Sequence, residues 1–205
     1  MGKAFKATGI FSTKSESDEG TMSMSGHFEM ATMNEKFKFY MNVEESSQGM
    51  EGENLILSFQ NDTNHVTTIM CMKSVQTQNK WMCFKMTTGT SQVEEKMGGT
   101  GVAENPTTTW EEYKNRFTYE GLKEIHGVML HCFYANYQEN DTHVEERVCF
   151  DPQLNFFRYY WSKRTNPDGT TEIELFVDSV SFSVSDSEFV PPAKPRSFPG
   201  IPSTP

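Results

Sequence analysis

The chain contains no apolar run approaching the ~20 residues that a membrane-spanning helix needs, and no apolar leader follows Met1-Gly2-Lys3-Ala4-Phe5. If the protein is exported, a signal peptide has been removed. The catalytic templates are missing too: there is no G-x-S-x-G nucleophile turn, no phosphate-cradling G-x-x-x-x-G-K-[ST], no dinucleotide fingerprint and no H-E-x-x-H. The histidines, His27, His65, His126, His131 and His143, are scattered, and without a C-x-x-C no zinc site is expected. His131 and Cys132 are adjacent, but neighbours on a strand point to opposite faces and cannot cooperate as base and nucleophile. The same divergence leaves the glutamate doublets, such as Glu111-Glu112 and Glu145-Glu146, as solvated surface rather than a converging acid pair. Calcium at turns around Asp151 or Asp168 stays open, though no EF-hand loop occurs. Positive charge is sparse, 18 Lys and Arg against 28 Asp and Glu, and the net charge of −10 argues against nucleic acid and against charge-driven docking on anionic lipid. The expectation is a non-enzymatic protein without cofactor or metal.

What is present begins with four cysteines. Cys71 and Cys83 are symmetric about Thr77, and Cys132 and Cys149 about the Asn140/Asp141 junction, each pair flanking a polar turn between strand-like runs. Folding either ribbon antiparallel sets its two sulfurs opposite one another, so two disulfides are expected. Disulfides persist in oxidising compartments, which points to a secreted, periplasmic or cell-surface protein. The sequons at Asn61 and Asn140 fall at turns and are glycosylation candidates in a host that uses them.

Period-2 alternation marks the strands. It runs through Met22, Met24, Phe28 and Met30, through Phe37, Phe39, Met41 and Val43, and through Leu55, Leu57 and Phe59. In the first cysteine ribbon, residues 65 to 86, pairing about Thr77 sets Met70 opposite Phe84 and Met72 opposite Met82. The cysteines then share the other face with Trp81 and Lys73, and the disulfide is expected to brace the outside of a sheet whose inside is Met and Phe. A Gly- and Glu-rich loop spans Ser91 to Pro106, and Thr107 to Tyr119 reads as a short helix. Further strands are expected at 122–137, 143–150, 155–164 and 171–185. In the last of these the apolar parity changes near Asp178-Ser179, the signature of a bulge. Six of the nine prolines fall in residues 191–205, read as an unstructured tail after a single β domain of residues 1–190. The fold class is mainly β: a strongly curved antiparallel sheet, half-barrel or sandwich, with one or two short helices covering its concave face.

The chain has 13 methionines and 16 phenylalanines. Methionine fills irregular space and tolerates repacking, which suits a surface that accepts flexible apolar ligands. On this reading Met22, Met24, Phe28, Met30, Phe37, Phe39, Met41, Leu57, Met70, Met72, Met82, Phe84 and Met86 line the concave face and form a hydrophobic-ligand site.

Three stretches carry a family resemblance. They are Val66–Met70 with Lys80–Met86, Gly127–Phe133 with Arg147–Asp151, and Phe176–Phe182 leading into Asp186-Ser187-Glu188-Phe189-Val190-Pro191-Pro192. In element order the chain resembles the LolA-like superfamily, which embraces lipoprotein-carrier proteins, lipid-binding surface lipoproteins and ependymin-related proteins. The resemblance implies a curved sheet enclosing a site for lipid, acyl chains or another amphiphile. The chain lacks a lipobox cysteine, and Ala4 to Phe11 reads as a strand where the carriers have a helix. The leading expectation is a binding protein for lipid or another hydrophobic small molecule, with a membrane or surface protein as a further partner. The alternative is an extracellular interaction or adhesion module with a packed core and an outer-face patch of Tyr159, Tyr160 and Trp161 beside Arg158 and Lys163.

Overall fold

Alternation of side chains above and below a pleated strand dominates the sequence, and the computed structural model turns it, among the described residues, into one open, curved sheet of twelve strands. Residues 4–60, 65–89 and 115–197 are described. The strands are β1 (Phe5–Ser17), β2 (Gly20–Met33), β3 (Lys36–Ser46), β4 (Gly52–Gln60), β5 (His65–Ser74), β6 (Met82–Gly89), β7 (Thr118–Ile125), β8 (Val128–Glu139), β9 (Thr142–Asp151), β10 (Phe156–Asn166), β11 (Gly169–Ser181) and β12 (Arg196–Ser197). Their spatial order is β12-β6-β5-β4-β3-β2-β1-β11-β10-β9-β8-β7. Two antiparallel meanders are thus joined where the first strand pairs with the eleventh. All neighbours are antiparallel except β12, which runs parallel to β6 at Phe84 and Lys85.

Four bulges interrupt the ladders among the described residues. Glu44 is extra against β2, Asp178 against β1, Arg158 against β9 and Glu120 against β8. Each adds local twist and bends its strand, which is how so wide a sheet curves. The parity change read near Asp178-Ser179 is the second of these. Opposite it, a Cβ on Gly9 would lie 2.0 Å from the Phe176 carbonyl oxygen and 2.8 Å from the Phe28 ring, so only glycine admits the ring at this pinch. Arg158 ties two of the bulges together, donating from Nε to the Val177 carbonyl at 2.9 Å and from Nη2 to the Asp178 carbonyl at 2.8 Å. Its Nη1 reaches the Asp151 carboxylate at 3.1 Å.

Three expectations change. The strand expected over 122–137 is two strands, because His126 and Gly127 both take positive φ, 48° and 76°, and close a two-residue hairpin. Of the helix expected over Thr107 to Tyr119, residues 107–114 lie outside the described residues, Asn115 and Arg116 are helical, and Thr118 already begins β7. The Pro-rich segment does not leave the sheet at Pro191. A 3-10 turn at Asp186–Phe189 buries Phe189, Ala193 packs against the Leu55/Cys71 cluster, and Arg196–Ser197 form β12. Residues 198–205, the Ser91 to Pro106 loop and Asn61 lie outside the described residues.

Candidate functional site

The register assigns every strand residue to one of two faces, since residues directly opposite each other project the same way. One face carries both disulfides. Cys71 is bonded to Cys83 and Cys132 to Cys149, each pair directly opposite across its hairpin as the symmetry about the turns predicts. The four cysteines are at most 3% exposed. The first pair packs with Leu55, Leu57 and Ile69, the second with Leu130, Tyr159 and Phe176.

The protein's own chain supplies much of the cover for this face. Glu188 receives Lys6 Nζ at 3.1 Å and Lys38 Nζ at 3.1 Å, Lys36 pairs with Asp186, and the Lys36 ammonium sits 5.9 Å from the Phe189 ring centroid. Burial alone would raise the Glu188 carboxyl, but its bonds to Lys6 and Lys38 outweigh it and hold the carboxyl below its ordinary value. Farther along the face Arg147 lies between the rings of Tyr134 and Trp161, 5.5 and 5.8 Å from their centroids, with Glu120 accepting from its Nε at 2.8 Å. Burial, followed by the bond to Glu53, pushes Tyr40 up to about 12. Burial and the nearby Glu174 push Tyr159 up to about 12. A cleft of about 300 Å³ opens on the same face, lined by Ile10, His27, Glu44, His126, Glu174 and Phe176. His27 faces Glu44 at 3.4 Å and His126 faces Glu174 at 3.5 Å across it. Among the described residues no group of three or more His, Cys, Asp or Glu could hold a metal.

The opposite face carries the methionines. Continuous ladder rows run Met30–Phe39–Ile56–Met70–Phe84 and Phe28–Met41–Asn54–Met72–Met82, with Phe37–Ser58–Thr68–Met86 beside them. Met24 and Met22 follow along β2, opposite Thr13 and Ser15. Twelve of the thirteen expected ligand residues therefore share one face. The exception is Leu57, fully buried on the disulfide face, because it pairs with Lys38 and Ile69 and is out of step with Phe39 and Met70. The expected polarity of the first cysteine ribbon is also reversed. Its cysteines are buried, whereas Met72 and Met82 are 42% and 41% exposed and Phe37 44%. The cause is long-range: Ala193, from the far end of the chain, lies over the cysteine side, and alternation within a hairpin cannot reveal which face a distant segment will cover.

The middle of the methionine face is better packed. Ala7, Phe11, Phe28, Val43 and Val177 are buried there against Met24, Met30, Phe39 and Met41. Beyond it the face becomes aromatic: Tyr119, Phe133, Phe150 and Phe157 form successive ring contacts at 5.2 to 6.2 Å, with Leu122 and Met129 54% and 51% exposed beside them. Apart from Tyr119, read from the sequence as the end of a helix, these residues fall in expected strands, but only the register shows that they extend the methionine face. The patch expected from Tyr159, Tyr160 and Trp161 does not assemble. Tyr159 is 7% exposed on the disulfide face, Tyr160 projects to the other side, and Arg158 is spent on the bulges. Asn140 is exposed in the β8–β9 turn.

The chain matches no family model and no curated protein. Among solved structures it is similar to a chain described as an outer membrane lipoprotein-sorting protein domain from Vibrio parahaemolyticus, at 8% identity over 90% of this chain and 88% of that one, with a TM-score of 0.39. It is similar to the same degree to a DUF1329 family protein from Desulfovibrio piger, at 8% identity over 90% and 89% of the two chains and a TM-score of 0.39. At that distance the likeness carries no argument about this chain.

Proposed function

We propose that the protein binds a lipid or another extended hydrophobic molecule on the methionine face of its sheet, without chemical turnover, in a secreted, periplasmic or surface setting. One observation carries the reading. Twelve Met and Phe positions project from one face, and Phe37, Met72 and Met82 stay about two-fifths exposed, while the protein's own C-terminal segment is folded over the other. Burial of a Met or Phe side chain is worth roughly 1.5–3 kcal/mol, so completing the burial of each half-exposed side chain offers a ligand about 1 kcal/mol. Unbranched methionines repack around such a ligand without a fixed shape. The two disulfides fit the oxidising setting.

Native mass spectrometry of the non-reduced protein, before and after organic extraction, tests this. The expected result is a removable lipid-sized adduct that returns on incubation with lipid and fails to return in Met72→Glu/Met82→Glu. A protein that takes up no lipid, before or after extraction, would contradict it.

A further inference from the structure

A buried carboxylate interrupts the methionine face among the described residues. Glu146 on β9 is 6% exposed, and its two carboxylate oxygens each accept a tyrosine hydroxyl, Oε2 from Tyr137 at 3.2 Å and Oε1 from Tyr160 at 3.1 Å. Directly opposite on β10 stands Ser162, 3% exposed, whose Oγ has no hydrogen-bond partner. A buried hydroxyl left unpaired is costly and calls for a missing partner. The row continues from Ser162 through Ile173 and Thr13 to Met24, which packs on the apolar cluster around Phe11 and Phe28. Three ladder steps of ~4.8 Å separate Ser162 from Met24, about 14 Å, the reach of an extended dodecyl chain.

An ionised carboxylate has about four acceptor sites, and the tyrosines occupy one on each oxygen. The niche therefore retains open carboxylate acceptor sites beside a serine hydroxyl that can both donate and accept and does neither. The neighbouring cations are engaged: Arg116 lies over the Tyr137 ring at 5.0 Å, and Arg164, in the next row, has its own partner. An anionic head would meet the Glu146 charge, whereas a hydroxyl or ammonium would satisfy both Glu146 and Ser162.

We infer that Glu146, Ser162, Tyr137 and Tyr160 form a head-group niche for a hydrogen-bond-donating amphiphile, a long-chain alcohol or amine, whose tail follows the row toward Met24. This rests on the reading of the methionine face as the ligand face. Dodecanol, dodecylamine and laurate share one tail, and their binding to the full chain, below their aggregation thresholds, separates the two claims. The niche predicts that at least one donor probe binds tenfold or more tightly than laurate, and whichever donor is tighter identifies hydroxyl or ammonium as the natural head. Glu146→Gln, which keeps an acceptor for the tyrosines, is expected to erase the preference over laurate. Ser162→Ala is expected to weaken the preferred donor severalfold while leaving the melting temperature unchanged or raised. Equal binding of all three probes, or a ranking untouched by both variants, would overturn the niche, with Ser162 then holding only water, and leave the apolar face standing. Failure of every probe to bind the wild-type protein would remove the ligand-face reading and the niche together.

Discussion

The two cysteine hairpins, β5–β6 and β8–β9, bury their disulfides on the same side of the sheet, yet their other sides differ. Behind Cys71–Cys83 stand Met70, Met72, Met82 and Phe84, with the two outer methionines more than two-fifths exposed. Behind Cys132–Cys149 stand Phe133, Val148, Glu146 and Tyr160, where carboxylate and hydroxyls interrupt the apolar rows. Equal strand patterns thus produce one surface ready for apolar contact and another with a polar centre. What a face can bind depends on what the rest of the chain lays over it and on the single polar residue placed in a row, more than on hydrophobicity counted along a strand.

Truncating one residue on each side of the first meander separates the two faces by the largest expected effect. Leu57→Ala, at a site with no exposure, is expected to cost about 3 kcal/mol through lost burial and the cavity left behind. Met72→Ala, already 42% exposed, is expected to cost under about 1 kcal/mol. Urea denaturation of the two variants reads both, and similar losses would mean that the methionine face is as fully packed as the disulfide face.

Arg158 comes next. Its replacement by alanine strips two bulge carbonyls and leaves Asp151, a buried carboxylate, without its cation, for an expected loss of about 3 kcal/mol. Burial alone would raise Asp151, but the amides of Leu154 and Gln153 and the Arg158 guanidinium hold it below its ordinary value. A carboxyl depressed on folding contributes its stability above the unfolded value, about 4, and loses it as pH falls through the folded value. The wild-type protein should therefore lose stability as pH falls below about 4, and Arg158→Ala should flatten that part of the profile. Parallel pH profiles for the two proteins would exclude Asp151 as the acid-sensitive group.

A smaller effect is expected from ending the chain at Val190. This removes Ala193 from the disulfide cluster and Arg196–Ser197 from the β6 edge, at about 1–2 kcal/mol, and leaves the Glu188 ion pairs in place. An unchanged melting temperature would show that the C-terminal segment lies on the sheet without holding it.

Much of this architecture was legible in the sequence. Cysteine symmetry about Thr77 and Asn140/Asp141 located both hairpins and their registers, and the parity slip at Asp178 located a bulge, because period-2 patterning is local and register is set by turns. What escaped the sequence was non-local. The His126-Gly127 turn hid inside a continuous apolar run. The burial of Cys71 and Cys83 depends on a segment more than a hundred residues away. The Tyr159–Trp161 patch dissolved because consecutive strand residues cannot share a face. Glu146 looked like half of a solvated doublet, and only the ladder sets it opposite Ser162 and within reach of two tyrosines.

On the proposed reading, the protein covers one face of its sheet with its own chain and leaves the other for an external apolar molecule. Methionine oxidation footprinting of the delipidated, non-reduced protein, with and without a dodecyl amphiphile, tests it most directly, because exposed thioethers oxidise and covered ones do not. Met72 and Met82 are 42% and 41% exposed on the face, and Met50, 49% exposed in the β3–β4 turn, serves as the internal control. The predicted result is that the amphiphile slows oxidation of Met72 and Met82 severalfold while Met50 is unchanged. Equal rates at all three methionines with and without the amphiphile would contradict the claim.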